Sequence, residues 1–471
     1  MFGKHQILTR TWEQYADVMP RIFPEQFTKM PNGEKRAVMS ITFQVTDGCN
    51  LNCSYCYQIH KGKKVISIDT AKQAIEDLLS GTMSYCNADK NPALCLEFIG
   101  GEPFLAIDAI EQIYEYFLKR TIELKHIWAT NHFISITSNG VLYFDPKVQN
   151  FLRKYKGKIG LSITLDGNQE LHDSCRRFPD GSPSYEHAVA AIKHWTDQGL
   201  YMGSKITIAP GNVQYLASAV KHMIELNYED IHANCVFEKG WELHHALTLY
   251  EQLKELADYF IENNYFIDRY FRMFDHKGFQ PLLEEDNNNW CGGDGRMLAI
   301  SPDGYYYPCL RFMETSLGDN QTEFVIGEVG RDIGEEEIWQ ERVQCLYDIT
   351  RKSQSTDECY NCPVARGCSW CTAYNYQENG TPNSRCTYIC DMHKATSLAN
   401  VYYWNKLFQT LGVDFYFEMY LPKEDCVKIV GEDEYNLLYS LSQENKENKI
   451  CINIPEDNDT NKYPGGGPIG C

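Results

Sequence analysis

From about Ala37 to about Glu238 the chain alternates short apolar runs rich in β-branched and aromatic residues with longer stretches in which apolar positions recur at helical spacing. VMSITFQV (Val38–Val45), LCLEFI (Leu94–Ile99), FISITS (Phe133–Ser138), IGLSITL (Ile159–Leu165), KITIA (Lys205–Ala209) and IHANCVF (Ile231–Phe237) predict strands. TAKQAIEDLLS, AIEQIYEYFLKRTIEL, PKVQNFLRKY, SYEHAVAAIKHWTDQ and QYLASAVKHMIEL, lying between them, predict helices. Such alternation predicts an α/β fold with parallel strands, a partial (β/α)6 TIM-like barrel. In barrels of this kind the chemistry sits on loops leaving the C-terminal ends of the strands.

Glu242 to about Asn264 predicts one further long helix, after which the pattern changes. From Trp290 to about His393 cysteines become dense, and turn signals such as SPDG (Ser301–Gly304) and ENGTPN (Glu378–Asn383) interrupt short aromatic strands. A second helical stretch is predicted around Ala395–Leu411, and the chain ends in a polar segment rich in Asn, Gly and Pro. The expected organisation is an extension over 1–37, the barrel over 38–240, a helical linker over 241–285, a small cysteine-rich domain over 286–400, a C-terminal segment over 401–442 and a disordered tail over 443–471.

Composition narrows the chemistry. The 471 residues include 19 cysteines, and the formal net charge of -20 disfavours nucleic acid and anionic membranes as partners. No run approaches the ~18 apolar residues of a membrane span, and the first residues lack a secretory h-region, so a cytoplasmic protein is expected. In a reducing compartment, cysteines at short fixed spacings are expected to be metal ligands or catalytic groups rather than disulfides.

Cys49, Cys53 and Cys56 form C-x3-C-x2-C just after the first predicted strand, with Tyr55 directly before the last cysteine. Three thiolates on one loop can bind three irons of a cubane cluster and leave the fourth iron open. The alternative is zinc, which would need a fourth ligand such as His60. The motif resembles the signature of the radical SAM superfamily. GGEP (Gly100–Pro103), TSNG (Thr137–Gly140) and TLDG (Thr164–Gly167) follow the next three strands, and HDSCRR (His172–Arg177) comes after them. Each alone is readable as a turn; their order at successive strand ends carries the resemblance. The resemblance implies a [4Fe–4S] cluster on Cys49, Cys53 and Cys56 and S-adenosylmethionine as cofactor. It implies contacts from Tyr55 to adenine and from Gly100, Gly101 and Glu102 to the methionine amino group. Asn139, Thr164 and Asp166 are implied near the cofactor, Thr164 toward the ribose, and Arg176 toward the carboxylate. Thr164 stands where related members usually have serine, which keeps the hydroxyl.

Cys291, Gly304 and Cys309 make C-x12-G-x4-C, and Cys359, Cys362, Cys368 and Cys371 make C-x2-C-x5-C-x2-C, with Cys386 and Cys390 beyond. The whole resembles the SPASM extension of radical SAM peptide maturases. That resemblance implies a first auxiliary [4Fe–4S] cluster on Cys291, Cys309 and Cys371 and a second on Cys359, Cys362, Cys368 and Cys390. The last spacing is usually x3, and no extra cysteine precedes Cys291 within PLLEEDNNNW, so an open iron is expected in the first cluster unless Cys386 fills it.

CPVARGCSWCTAYNY and RCTYICDMHKA resemble the branch acting on peptides with Cys-x-x-x repeats, which implies thioether formation on a cysteine-containing precursor peptide, with a reduced flavodoxin or ferredoxin-type donor. The rival, an anaerobic sulfatase-maturing enzyme, has a basic Asp where this chain has Leu310. Epimerisation, carbon–carbon crosslinking and a non-catalytic iron–sulfur or zinc scaffold are the other readings. The residues ahead of the first strand are too few for a leader-binding domain, so leader recognition is expected from Asp414–Ser442 or a separate protein. His172 and Asp173 are secondary acid–base candidates or loop anchors. Cys95, Cys235 and Cys345 are expected in the core, as are the aromatic runs Tyr305–Tyr307 and Tyr402–Trp404.

Overall fold

A computed structural model describes residues 38–447, apart from 82–84, 86–87, 89–90, 276–277, 290, 320 and 412–415. Cys86, Cys451 and Cys471 and the expected extension over 1–37 therefore lie outside the described residues, as does most of the expected tail.

β1 (Val38–Thr46), β2 (Ala93–Gly100), β3 (His132–Ser138) and β4 (Ile159–Ile163) are consecutive parallel neighbours, with β5 (Met202–Gly203) added beside β4. The connecting helices are α1 (Ile68–Leu79), α2 (Ile107–Glu123), α3 (Pro146–Lys154), and α4 (Gln169–Cys175) with α5 (Tyr185–Thr196). Local chemistry sets their starts. Ser67 caps α1 by accepting from Thr70 N, and Asp145 caps α3, whose first residue is Pro146. Along β1 the period-two pattern divides the sheet's faces: Met39, Ile41, Phe43 and Val45 are wholly buried in the core. Alternate positions carry Ser40, Thr42, Gln44 and Thr46, and the Thr42 hydroxyl donates to Glu97 at 2.6 Å.

The last two barrel strands depart from one continuous curl. β6 (Ile206–Ile208) and β8 (Ala233–Cys235) pair with each other as a separate parallel ribbon, with α6 (Leu216–Glu225) between them. Between β5 and β6, the Ser204 hydroxyl donates to Asp230 O at 2.7 Å and accepts from His232 N at 3.0 Å, and the chain changes partner from β4 to β8 within three residues. β7 (Asp230–Ile231) pairs with β9 (Tyr270–Phe271) beyond the long helix α7 (Leu243–Glu262).

The cysteine-rich region continues the same sheet. β10 (Met297–Ile300) lies parallel to β1 on the edge opposite β2, in the register Ser40 to Met297 and Phe43 to Ile300. β11 (Tyr305–Tyr307) and β12 (Gly327–Glu328) follow antiparallel. Short helices α8 (Glu337–Tyr347), α9 (Arg351–Gln354), α10 (Asp357–Tyr360) and α11 (Thr372–Asn379) lead to α12 (Cys390–Leu411). α12 packs along α7 and against α14 (Glu432–Glu447), with α13 (Lys423–Val430) beside them. Tyr402 OH donates to Asp258 at 2.8 Å, and Phe274 stacks on Tyr403 with ring centroids 4.2 Å apart. α14 carries helix five residues into the range expected to begin the tail. No helix among the described residues is long and apolar enough to cross a membrane.

Candidate cluster-binding site

The loop after β1 is built against the ends of β2, β3 and α4. Gly101 N donates to Thr46 O at 3.0 Å and Glu102 N to Gly48 O at 2.8 Å, so GGEP is laced to the base of the cysteine loop. Both glycines are required by that approach: a Cβ on Gly100 would stand 2.4 Å from Thr46 O, and one on Gly101 would stand 2.2 Å from Gly48 O. The Glu102 carboxylate accepts from Ser138 Oγ at 2.7 Å, Asn139 N at 2.8 Å and Phe104 N at 3.1 Å. Asn139 in turn donates from Nδ2 to Asn50 Oδ1 at 2.7 Å, joining TSNG to the residue after Cys49. On the far side, Asn52 N donates to Arg177 O and Ser54 N to Cys175 O, at 2.7 and 2.9 Å. The loop is held at both ends and in the middle.

Tyr55 donates its hydroxyl to Asp166 and accepts from Arg176 Nη1 at 2.9 Å. Burial drives the Tyr55 phenol well above its ordinary range and raises the Asp166 carboxyl, against the pull of Arg176. Arg176 and not Arg177 faces this network; Arg177 is exposed and donates to Gly181 O at 2.8 Å. Thr164 lies at the end of β4, where its amide donates to Ser138 O at 3.0 Å. Gly167, at φ +121°, leaves no room for a Cβ beside Ala219.

His172 and Asp173 serve as anchors. Asp173 accepts from Ser184 N and Tyr185 N, both at 2.9 Å, and burial pushes the His172 imidazole down to about 3. α4, which carries both, was hidden in the sequence because seven residues hold too little periodicity to read.

Whether these residues suit a cluster and its cofactor is tested by two observations. Arg176 Nε and Asp166 Oδ1 are buried, and neither has a hydrogen-bond partner among the described residues. An unspent guanidinium donor and an unspent carboxylate acceptor beside the cysteine loop suit a ligand bearing both a carboxylate and hydroxyls. Secondly, Cys49 and Cys56 both act on the Cys53 thiol, which burial raises most and Arg176 lowers. A thiol raised in this way becomes a thiolate when a metal's charge compensates it. His60 stands apart and exposed, 3.4 Å from Asp319. No three of the described His, Cys, Asp or Glu side chains converge tightly on one point as a single ion would need.

Seven of the remaining described cysteines fall into two groups. β10 and β11 form a hairpin turned by Gly304 at φ +84°, so Cys291, ahead of β10, and Cys309, after β11, come to the same open end. This is the physical content of C-x12-G-x4-C. Burial raises the Cys309 thiol most, followed by Cys371 and Cys291. Cys371 caps α11, accepting from Tyr374 N at 3.4 Å. Around Cys390, pushed up to about 12 by burial first, the neighbouring thiols are Cys368, Cys359 and Cys362. Cys291, Cys309 and Cys371 thus neighbour one another, and Cys359, Cys362, Cys368 and Cys390 do likewise. Sequence reasoning missed Arg385, whose Nη2 donates to Cys368 Sγ at 2.8 Å while its guanidinium covers Trp370. It also missed Arg311, which pairs with Glu238 and covers the rings of Tyr57 and Tyr374. Neither has a spacing signal, since both act across the fold.

The other expectations divide simply. Cys95 and Cys426 are buried, and burial pushes Cys235 to about 12, so these are inert thiols, while Cys345 is half-buried. Tyr306, Tyr307 and Tyr402–Trp404 are buried core. Leu310 is also buried.

The pattern of the Radical SAM superfamily matches residues 43–215, and that of an iron–sulfur cluster-binding SPASM domain matches residues 291–363. Cys368, Cys371 and Cys390 lie beyond the second match. The antilisterial bacteriocin subtilosin biosynthesis protein AlbA of Bacillus subtilis is 24% identical over 375 residues, covering 76% of this chain and 72% of AlbA. A cysteine-type anaerobic sulfatase-maturating enzyme of Clostridium perfringens is 24% identical over 282 residues, 56% of this chain and 72% of that enzyme. Among solved structures, the sulfatase-maturating enzyme anSMEcpe with bound AdoMet and a peptide superposes with a TM-score of 0.56 at 17% identity, covering 80% of this chain and all of that one. Streptococcus suis SuiB bound to the precursor peptide SuiA gives a TM-score of 0.51 at 15% identity, over 76% of each chain. Both share the fold.

Proposed function

We propose, from the premise that this chain is a radical SAM enzyme with a SPASM iron–sulfur domain, that it modifies a ribosomally made peptide by joining a cysteine sulfur to a carbon of a neighbouring residue. The observation that carries this reading is the similarity to a bacteriocin biosynthesis protein, which spans 76% of the chain. The identity of residue 310 supports it further: the position after Cys309 holds a buried leucine, unable to take a proton.

In this reading Cys49, Cys53 and Cys56 hold the cofactor's cluster. Gly100, Gly101 and Glu102 line the methionine amino group, Arg176 meets the carboxylate, Thr164 and Asp166 take the ribose, and Tyr55 borders the adenine. When bound, S-adenosylmethionine on a reduced cluster supplies a 5′-deoxyadenosyl radical that removes a hydrogen atom from carbon. Thioether formation releases one hydrogen atom, one thiol proton and one electron, and the two auxiliary thiol sets would carry the clusters that accept the electron. The chain's own residues orient substrate and exclude water. A reduced flavodoxin or ferredoxin-type protein supplies the first electron.

The test is anaerobic turnover of cysteine-rich precursor peptides with dithionite and S-adenosylmethionine, following 5′-deoxyadenosine and peptide mass together. Loss of about two hydrogens and one free thiol per 5′-deoxyadenosine is expected. Loss of sulfur with a new aldehyde would replace this reading by formylglycine formation. An unchanged mass with an inverted residue would replace it by epimerisation.

A further inference from the structure

The first auxiliary group counts three thiols by spacing, and a cubane has four irons. The first turn of α11 organises this corner. Thr372 Oγ1 lies 3.1 Å from Cys291 Sγ, and Tyr374 N donates to Cys371 Sγ at 3.4 Å. A further thiol reaches the same turn: Cys386 Sγ lies 4.0 Å from Tyr374 O. Its backbone is fixed there, because Cys386 N donates to Asn375 Oδ1 at 2.9 Å. Asn379 Nδ2 also approaches its sulfur at 3.5 Å. Cys386 and Cys390 are four residues apart, yet they do not share a helical face. Cys386 lies in an irregular stretch before α12, whereas Cys390 is the first residue of that helix. The chain turns between them, with Cys390 N donating to Thr387 O at 3.0 Å. Cys371 is close enough to Cys386 to act on it electrostatically, while Cys390 has Cys368, Cys359 and Cys362 as its thiol neighbours.

We propose that Cys386 is the fourth ligand of the first auxiliary cluster, completing Cys291, Cys309 and Cys371. This rests on the reading that those three thiols hold a [4Fe–4S] cluster. With all four irons held by the chain, that cluster accepts an electron and does not anchor the peptide thiol. The peptide's cysteine must then be oriented by side chains alone.

The experiment uses the full chain carrying Cys49→Ala, Cys53→Ala and Cys56→Ala, so that only auxiliary clusters remain. About eight irons per chain are expected after anaerobic reconstitution; absence of iron would overturn the cluster reading itself, and the ligand assignment with it. Iron-loaded and chelator-stripped protein are then alkylated with iodoacetamide and mapped by mass spectrometry. Cys386 is only partly buried, so alkylation at least ten-fold slower in the loaded form is expected, with the half-buried Cys345 as the internal control. Equal rates at Cys386 with full iron would overturn the assignment while leaving the clusters in place. The second measurement adds Cys386→Ala to the same background. Its reduced clusters should gain an electron paramagnetic resonance change on addition of a small thiol, dithiothreitol, which the parent lacks. A response already present in the parent would show an open iron and refute the proposal.

Discussion

Gly101→Ala separates two accounts of GGEP. If Gly101 only lines the methionine amino group, an added methyl blocks cofactor and leaves the cluster untouched. The geometry argues otherwise, because the Cβ would meet Gly48 O at 2.2 Å, Gly48 C at 2.5 Å and Cys49 Cβ at 2.9 Å. These are backbone atoms and the Cβ of Cys49, with no rotamer to give way. Restoring an ordinary carbon–oxygen contact of about 3.3 Å requires the start of the cysteine loop to retreat by about 1 Å. Such a retreat loosens the hydrogen bonds from Gly101 N and Glu102 N, each worth about 1 kcal/mol net, and adds about 1–3 kcal/mol of overpacking.

The expected total is a loss of about 3–5 kcal/mol concentrated on the loop that carries Cys49. Iron per chain should therefore fall by about four, with no S-adenosylmethionine present, and the 5′-deoxyadenosine rate should drop by about 100-fold or more. Gly157→Ala and Gly211→Ala, where a Cβ meets nothing within 4 Å, should change stability by less than about 0.5 kcal/mol. Full iron content and wild-type thermal stability in Gly101→Ala would refute the reasoning. A selective loss of cofactor affinity would return the glycine to the simpler role.

Arg176→Met removes the buried, unspent Nε donor; S-adenosylmethionine affinity measured by equilibrium dialysis should fall about 10- to 100-fold, at about 1.5–3 kcal/mol for a charge-assisted bond, with iron content unchanged. Replacing Cys49, Cys53 and Cys56 together by Ala should abolish 5′-deoxyadenosine and remove about a third of the iron; persisting cleavage would contradict the site. Burial lowers the His132 imidazole to about 4, while it bonds Tyr114 OH at 2.9 Å and Trp128 O at 2.6 Å. A folded pKa below the unfolded one gives stability that is complete above about pH 6.5 and is lost as pH falls toward 4. About 1.4 kcal/mol of this is gone at pH 5.5, so His132→Gln should show a smaller drop in thermal midpoint between pH 7.5 and 5.5; an equal drop would show that His132 titrates normally.

What could be read from the sequence was local. Runs such as Val38–Val45 and Phe133–Ser138 name their strands because apolar side chains every second residue fit one buried face. The cysteine spacings sort the thiols into groups because a tight loop or hairpin fixes which of them can meet. The illegible parts join residues far apart in the chain. Nothing in MLAI announces that β10 will lie on β1, since a four-residue strand chooses its partner by packing rather than propensity. The expected boundary between a barrel and a separate small domain is crossed by one sheet for the same reason. Asn139 bonding Asn50, and Gly101 fitting under Gly48, are likewise products of strand order.

That shared sheet decides how the two cysteine-bearing regions communicate. β1 leads directly into the loop of Cys49, and its neighbour β10 opens the hairpin that closes on Cys309. Arg311, two residues on, covers Tyr57, the residue after Cys56, and pairs with Glu238 after β8. His60 N reaches across to Thr315 O at 3.3 Å, and Tyr85 OH to Gly293 O at 2.7 Å. A hinge between radical site and auxiliary thiols would need all of these to break together with the β1–β10 ladder. The proposed thioether chemistry would reward the opposite of a hinge, because a carbon radical and a sulfur must stay within near-attack range while an electron departs. A frame in which the loop of Cys49 and the hairpin reaching Cys309 follow from adjacent strands would meet that requirement through backbone hydrogen bonds. On that proposal the peptide, rather than the protein, supplies the motion that brings its cysteine to the site.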